Sequence, residues 1–239
     1  MTGAGPLLSV AELHAHYGKS HVLRGVTFEV GEGEVVSLLG RNGAGRSTTL
    51  KAIMGLVKPS GGGVRLRNRE LAGARPFTIC RRGVGYVPEE REVFANLTVD
   101  ENLHMGEQPP APGANRWTLD QMFDYFPQLK RCRDTKAGSL SGGEQQMLTI
   151  CRSLLGNPLV MLIDEPTEGL APRIVTAVRE CIEDMHRCGV AVVLVEQKLA
   201  IALRVSSRVC VMGRGRIVFE GTPQQLAASE ELLSGWLAV

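Results

Sequence analysis

The residues with the clearest chemical potential form a glycine-rich segment at positions 40–48. It reads GRNGAGRST, which follows the phosphate-binding pattern G-x-x-x-x-G-K-[ST] except that arginine replaces lysine. Glycines let backbone N–H groups approach phosphate oxygens, because no Cβ intervenes. The pattern therefore predicts a phosphate-binding loop, with the Ser47 hydroxyl on Mg²⁺. Its members are Gly40, Arg41, Asn42, Gly43, Ala44, Gly45, Arg46, Ser47 and Thr48.

The sequence on either side of this loop supplies the expected context. An apolar run at 35–39 precedes it, and a helix-like segment at 48–54 follows it. The start of a helix offers free N–H donors and the positive end of its dipole to an anion. A simple glycine-rich turn between a strand and a helix is the alternative interpretation.

Two carboxylates follow a second apolar run. Asp164 and Glu165 come directly after Leu159–Ile163, which places them at the carboxyl edge of the predicted sheet, where open α/β sheets bind ligands. We expect Asp164 to hold Mg²⁺ and Glu165 to orient or deprotonate a water that attacks the γ-phosphate. The alternative is that a strand simply ends in polar residues.

The string LSGGEQQ at 140–146 predicts a second anion-binding helix start. Ser141 and Glu144 have the spacing of a capping box, and Gly142 and Gly143 leave the first N–H groups bare. A well-capped helix without any ligand is the alternative. Because one nucleotide rarely needs two such helix ends, we infer that this end serves the nucleotide of a different chain across a dimer.

The whole chain indicates an α/β fold. Its 239 residues suit one large domain or two small ones. Continuous apolar runs at 159–163 and 190–195, separated by a helical stretch at 172–188, predict buried parallel strands. Residues 5–35 read as small antiparallel strands, and residues 91–156 read as helical apart from a polar, proline-bearing break at 108–113.

Composition excludes several classes of protein. With 27 basic and 25 acidic residues, the chain has no excess charge for a polyanion, so no nucleic-acid partner is expected. The six cysteines lack a C-x-x-C pair and are interpreted as small buried hydrophobes in a reducing compartment. The five histidines show no zinc spacing, although His14 and His16 share one face of a strand. No apolar stretch reaches the ~20 residues of a membrane span.

The phosphate loop, LSGGEQQ and LVMLIDEPTEG, in this order, resemble the ATP-binding subunit of ABC transporters over residues 7–225. The resemblance implies one domain over 5–236, with a sheet core at 7–90 and 157–236 and a helical insert at about 91–156. It also implies that ATP and Mg²⁺ bind, and that two such domains enclose two ATP molecules head to tail.

Three further residues acquire roles from this resemblance alone. Tyr17 matches an aromatic residue that stacks on adenine. Glu89 stands where the family usually has a glutamine near Mg²⁺ and the transmembrane contact. Gln197 stands where the family usually has a histidine that senses the γ-phosphate.

These departures, together with PTEGLAP and the segment at 91–103, resemble the ATPases of branched-chain amino-acid and urea-type importers. Such importers typically contain two different ATPase subunits, two membrane permeases and a periplasmic solute-binding protein. The resemblance therefore implies a cytoplasmic subunit held at the inner face of the membrane by permeases.

Arg46, in place of the usual lysine, leaves it open whether the chain hydrolyses ATP or only binds it. The guanidinium of arginine is broad and planar, whereas the ammonium of lysine is a compact charge, so the replacement of lysine by arginine can change how phosphate is bound. The chain is either a Mg-dependent ATPase or an ATP-gated dimerisation subunit, in which Arg46 and Gln197 slow hydrolysis. A third class, soluble ABC proteins that act on ribosomes or DNA, usually carries two cassettes or long coiled-coil inserts, and neither is visible here.

Overall fold

Two β-sheets organise the chain in the computed structural model, which describes residues 5–110 and 116–237. The first is antiparallel, with strand order β2-β1-β4-β5. Its strands are β1 (Leu8–Tyr17), β2 (Ser20–Val30), β4 (Gly61–Leu66) and β5 (Arg69–Glu70). The long β1–β2 hairpin packs its inner face on the core and leaves alternate side chains towards solvent.

The second sheet has six strands in the order β10-β9-β3-β8-β7-β6. Five strands run parallel and β10 is the antiparallel edge. The strands are β3 (Val35–Leu39), β6 (Val84–Val87), β7 (Val160–Asp164), β8 (Ala191–Val195), β9 (Arg208–Gly213) and β10 (Arg216–Gly221). The central strands β3, β7 and β8 are fully buried, because helices or the antiparallel sheet cover both faces.

Strand β8 divides the hydrophobic core into its two main parts. Ala191, Val193 and Val195 face the antiparallel sheet, while Val192 and Leu194 face the helices. This alternation follows from the two-residue period of a strand. The apolar run at 190–195, which predicts a buried strand, thus contributes side chains to both parts of the hydrophobic core.

The helices fall into two groups, of which the first follows β6. It comprises α3 (Val99–His104), α4 (Leu119–Tyr125), α5 (Pro127–Arg131), a 3₁₀ turn (Ala137–Ser139) and α6 (Gly142–Leu154). The other helices are α1 (Arg46–Ile53), α2 (Pro76–Arg81), α7 (Pro172–Arg187), α8 (Leu199–Val205), α9 (Pro223–Ala227), α10 (Glu230–Leu232) and a π-helical turn (Leu233–Leu237).

The structure confirms the α/β class, the parallel sheet core and the antiparallel N-terminal strands. Both predicted core strands begin one residue later than expected, and β7 includes Asp164. Residues 111–113 of the proline-bearing break lie outside the described residues. Within the described ranges, no helix is long and apolar enough to cross a membrane.

The interpretation of all six cysteines as buried is wrong. Cys151, Cys181 and Cys210 are buried as expected. Cys80 is exposed, because it lies on the outer side of the short helix α2, where composition alone cannot tell which face meets solvent. Cys132 and Cys188 are half-buried.

Candidate active site

The glycine-rich loop joins β3 to α1 and curls around the first turn of that helix. Gly45 is the N-cap of α1 and adopts φ 104°, a left-handed conformation that L side chains rarely adopt. Gly40 must also be glycine, because a Cβ there would lie 2.4 Å from the backbone oxygen of Met212. The loop thus leaves N–H groups free at the start of α1, where an anion is favoured.

Ser47 and Asp164 meet at the base of the cleft beside this loop. The Ser47 hydroxyl donates a hydrogen bond to Asp164 Oδ1 at 2.9 Å, although the two residues come from different strand ends. Asp164 is fully buried, and in the described part of the chain its Oδ2 has no hydrogen-bond partner. A buried carboxylate oxygen without a partner suits a cation, so this pair fits the Mg²⁺ that the family implies.

Glu165 is held by two donors. Arg46 Nη2 donates to Glu165 Oε1 at 3.0 Å, and Gln197 Nε2 donates to Oε2 at 2.7 Å. Asn42 Oδ1 accepts a further bond from the same Arg46 nitrogen at 3.1 Å. Both oxygens of the candidate base are therefore occupied, and the ion pair is buried, with 5 % of each side chain exposed.

Burial perturbs both carboxylates. Desolvation raises the pKa of Asp164 to about 6, against the lowering effect of the Ser47 hydrogen bond. Desolvation also raises the pKa of Glu165 to about 7, while the Arg46 charge lowers it and the neighbouring Glu168 carboxyl raises it. A group with a pKa near neutrality can exchange a proton at physiological pH, as a general base must.

The cleft around these side chains has a volume of about 310 Å³. It is lined by Val22, Asn42, Gly43, Gly45, Arg46, Ser47, Thr48, Glu89, Glu165, Glu168 and Gln197. Nη1 of Arg46 is buried there and, among the described residues, has no acceptor for its hydrogens. This orphaned donor and the bare N–H groups of α1 make the cleft a fitting site for a phosphate chain.

Glu168 is a member of the cleft that the motifs did not identify. Oxygen atoms of Glu89, Glu165 and Glu168 lie within 4.8 Å of one another. Glu168 follows Glu165 by three residues, and Glu165 has φ 44°, so the chain turns back on itself. The spacing D-E-x-x-E in a turn after a buried strand is the signal that could have identified this residue.

Tyr17 and the start of α6 do not line this cleft. Half of the Tyr17 side chain is exposed at the end of β1, beside the strand that contributes Val22. Ser141 and Glu144 form the expected capping box: the Ser141 hydroxyl accepts from the Glu144 backbone N–H at 3.4 Å, and Glu144 Oε2 accepts from the Ser141 backbone N–H at 2.8 Å. Ser141 is exposed and the next three residues are half-buried, so this helix start is accessible to solvent.

The side chain of Arg41 turns away from the cleft. Its Nη2 donates to the backbone oxygen of Ser234 at 3.2 Å, in the C-terminal π-helical turn. Trp236 in the same turn lies directly over Gly213, where a Cβ would come within 2.2 Å of the indole ring. Arg41 can therefore contribute its backbone to a phosphate site, while its guanidinium fixes the C-terminal segment.

Arg91 contacts both the turn that follows Glu165 and the start of α6. Its Nη2 donates to the Glu168 backbone oxygen at 2.8 Å. Its guanidinium also lies over Gly142, since a Cβ on that glycine would approach Nη1 to 2.2 Å. The start of α6 is thus linked to the turn that follows Glu165.

Comparisons with known proteins identify the family to which the sequence is similar. The family model described as ABC transporter matches residues 23–168. The chain is 41% identical to the high-affinity branched-chain amino acid transport ATP-binding protein BraG of Pseudomonas aeruginosa, covering 97% of this chain and 99% of that protein.

Two further similarities broaden the comparison. The lipopolysaccharide export system ATP-binding protein LptB of Haemophilus influenzae is 31% identical, with 95% of each chain covered. The crystal structure of the ADP conformation of MJ1267, an ATP-binding cassette of an ABC transporter, superposes with a TM-score of 0.80 at 25% identity, covering 97% of this chain and 98% of that one.

Proposed function

The chain belongs to the ABC transporter ATP-binding family, and on this premise we propose that it hydrolyses ATP to drive an importer of branched-chain amino acids or a related small solute. The observation that carries the ATPase proposal is the convergence of Arg46, Ser47, Asp164, Glu165 and Gln197 in one cleft. The solute class is supported by similarity to BraG over nearly the whole chain.

Each residue of the cleft has a role in this proposal. The loop N–H groups and Arg46 bind the phosphates, and Tyr17 stacks on adenine. Ser47 and Asp164 hold Mg²⁺, with Glu89 close to it; when bound, the ion neutralises charge between phosphate oxygens. Glu165 accepts a proton from the attacking water, and Gln197 orients the Glu165 carboxylate through its 2.7 Å hydrogen bond.

The start of α6 is proposed to complete the site of a second ATPase subunit. Ser141, Gly142, Gly143 and Glu144 are partly exposed and do not line their own cleft. The partner is a different ATPase chain or a second copy of this one. Two transmembrane permeases would contact the surface near Glu89 and the helices α3–α6, and a periplasmic solute-binding protein would act through them. This arrangement places the subunit at the cytoplasmic face of the membrane.

An ATP-gated dimerisation subunit is a second candidate, which one specific observation favours. Arg46 and Gln197 occupy both oxygens of Glu165, so the base is not free without nucleotide. If phosphate does not draw Arg46 away, the chain binds ATP and dimerises while a partner subunit supplies turnover.

Steady-state ATPase activity of the wild type, Arg46→Lys and Glu165→Gln chains, over a range of protein concentrations with Mg²⁺, tests the proposal. We expect wild-type activity to rise more than linearly with concentration and Glu165→Gln to abolish it. A silent wild type that Arg46→Lys activates would instead establish the dimerisation subunit.

The solute and the mixed pair require separate tests. A mixed dimer that carries Glu165→Gln only in this chain should lose at least half of its ATPase activity if this site turns over. Reconstitution with permeases and uptake of labelled leucine tests the solute class, and export of a lipid by the same complex would contradict it.

A further inference from the structure

Three of the five histidines of the chain lie together on the β1–β2 hairpin. His14 and His16 alternate along β1 and therefore share a face. His21 lies on β2, directly opposite His16 in the antiparallel register. The pattern of two histidines separated by one residue, with a third across the ladder, is invisible to a search for spacing along the chain.

The three imidazoles are in contact. His14 Nδ1 and His21 Nε2 are 3.1 Å apart. The His16 and His21 rings are stacked with centroids 4.1 Å apart and planes 7° from parallel. His21 is thus the middle ring, with a ring nitrogen turned towards His14 and a face turned towards His16.

The nitrogen spacing matches that of a metal site. Two imidazole nitrogens bound to one tetrahedral metal at about 2.0–2.1 Å lie roughly 3.3 Å apart. The His14–His21 pair therefore needs to open by only a few tenths of an ångström to admit an ion. We propose that this histidine cluster binds a divalent transition metal of the class that imidazole prefers, namely Zn²⁺, Ni²⁺ or Cu²⁺.

The third ligand requires one side-chain movement. As the rings lie, the described residues do not bring three histidine nitrogens within 4.8 Å of one another. His16 is exposed, however, and its Nδ1 contacts Ser60 Oγ at 2.9 Å across the cluster. Rotation of this exposed side chain would break that bond and its stacking on His21, and would turn a ring nitrogen towards the ion.

The surroundings leave room for an ion and balance its charge in part. Gly25 and Gly61 pack beside His14 and present no side chain of their own to that ring. A Cβ on Gly25 would lie 2.8 Å from a Glu12 carboxylate oxygen and 3.6 Å from His14 Nε2, so the carboxylate is close to the Nε2 end of His14. An acidic group there resembles the outer partners that orient ligating histidines. Arg24, whose Nε donates to the His21 backbone oxygen, adds a positive charge that opposes a bound cation.

Calorimetric titration of the tag-free chain with NiCl₂ tests the proposal. Nickel is used because it binds the exposed Cys80 thiol less readily than zinc does. With excess MgCl₂ added to fill the carboxylate cleft, we expect one further saturable nickel site, from which Zn²⁺ displaces the nickel. His14→Asn and His21→Asn should each weaken nickel binding by tenfold or more, and His16→Asn should weaken it as well. His104→Asn, an exposed histidine between Asp100 and Glu107, is the matched control and should bind normally.

A second measurement separates loss of a ligand from loss of the fold. The melting temperature of the wild type should rise with NiCl₂ and return with EDTA, whereas His21→Asn should melt normally and show no rise. The proposal is overturned if the wild type shows no saturable nickel binding, or if a variant lacking His14, His16 and His21 binds nickel as the wild type does. Loss of stability in the variants without any nickel effect on the wild type would assign the rings a packing role only.

Discussion

Replacement of Arg46 by methionine removes the guanidinium from its buried pair with Glu165 and keeps a side chain of similar reach. The two charged groups are 3.0 Å apart, and 5 % of each side chain is exposed. Arg46 lowers the pKa of Glu165, which burial has raised to about 7. Without Arg46, that pKa must rise further, so the carboxyl of the variant keeps its proton to a higher pH than the wild type.

The size of the effect depends on pH in a way that can be worked out. Removal of one partner from a buried charge pair generally costs ~3–5 kcal/mol. Near pH 7, Glu165 can take up a proton at little cost, so the loss is reduced to the hydrogen bonds with Glu165 and Asn42, roughly 1–3 kcal/mol. Above pH 7 the wild-type carboxyl ionises while the variant stays protonated. The native variant then binds more protons than its unfolded chain, and the difference in unfolding free energy grows by about 1.4 kcal/mol per pH unit.

Urea unfolding followed by far-ultraviolet circular dichroism, with EDTA and without nucleotide, measures this difference at a series of pH values. Arg46→Lys keeps a positive charge and should show a much smaller dependence on pH. Arg46→Met in a Glu165→Gln background should show none, because no carboxyl remains to titrate. The reasoning is refuted if Arg46→Met costs the same at about pH 6 and about pH 8.5 while the fold is intact.

Three more predictions follow from other contacts. Burial raises the pKa of Asp164 to about 6, above the ordinary carboxyl value of about 4, so between these values the native carboxyl keeps a proton that the unfolded chain releases. The Mg²⁺-free protein should therefore lose stability as pH rises from about 4 to about 6, and Asp164→Asn should remove this loss, which melting curves across the range would detect. Gly40→Ala should prevent folding or lower the unfolding free energy by more than ~3 kcal/mol, because its Cβ meets a backbone oxygen. Gly43→Ala, which has open space but φ 79°, should lower it by ~1–3 kcal/mol and lose ATP binding. Urea unfolding and nucleotide titration of both variants measure these effects. Gly142→Ala should displace the Arg91 side chain and change the unfolding free energy of the monomer by less than ~1 kcal/mol. In a Glu165→Gln chain it should reduce ATP-dependent dimerisation, as measured by light scattering. An unchanged dimer would contradict the proposed role of this helix start.

The parts of the site that sequence could predict are those that depend on a few adjacent residues. The phosphate loop, the strand that ends at Asp164 and the capping box of α6 are local patterns with a local physical cause. The fold class followed from the same strands, because continuous apolar runs require cover on both faces.

The parts that sequence could not predict depend on distant segments meeting. The Arg46–Glu165 pair joins residues 119 positions apart, and neither motif indicates which way the longer arginine side chain will turn. The contact between Arg41 and Ser234 spans 193 positions. His21 is close to His16 in sequence, yet only the register of the hairpin shows that their rings stack.

The packing of Trp236 over Gly213 gives the chain an optical reporter of its own. The chain has two tryptophans, and Trp117 is 4 % exposed near Tyr125 among the helices that follow β6. Trp236 shares a cavity with Arg41, Asn42 and Gly43 of the phosphate loop. Since indole emission responds to the polarity around the ring, a Trp117→Phe chain would fluoresce from one tryptophan beside that loop. Rearrangement of the loop could then be followed in real time without an attached dye.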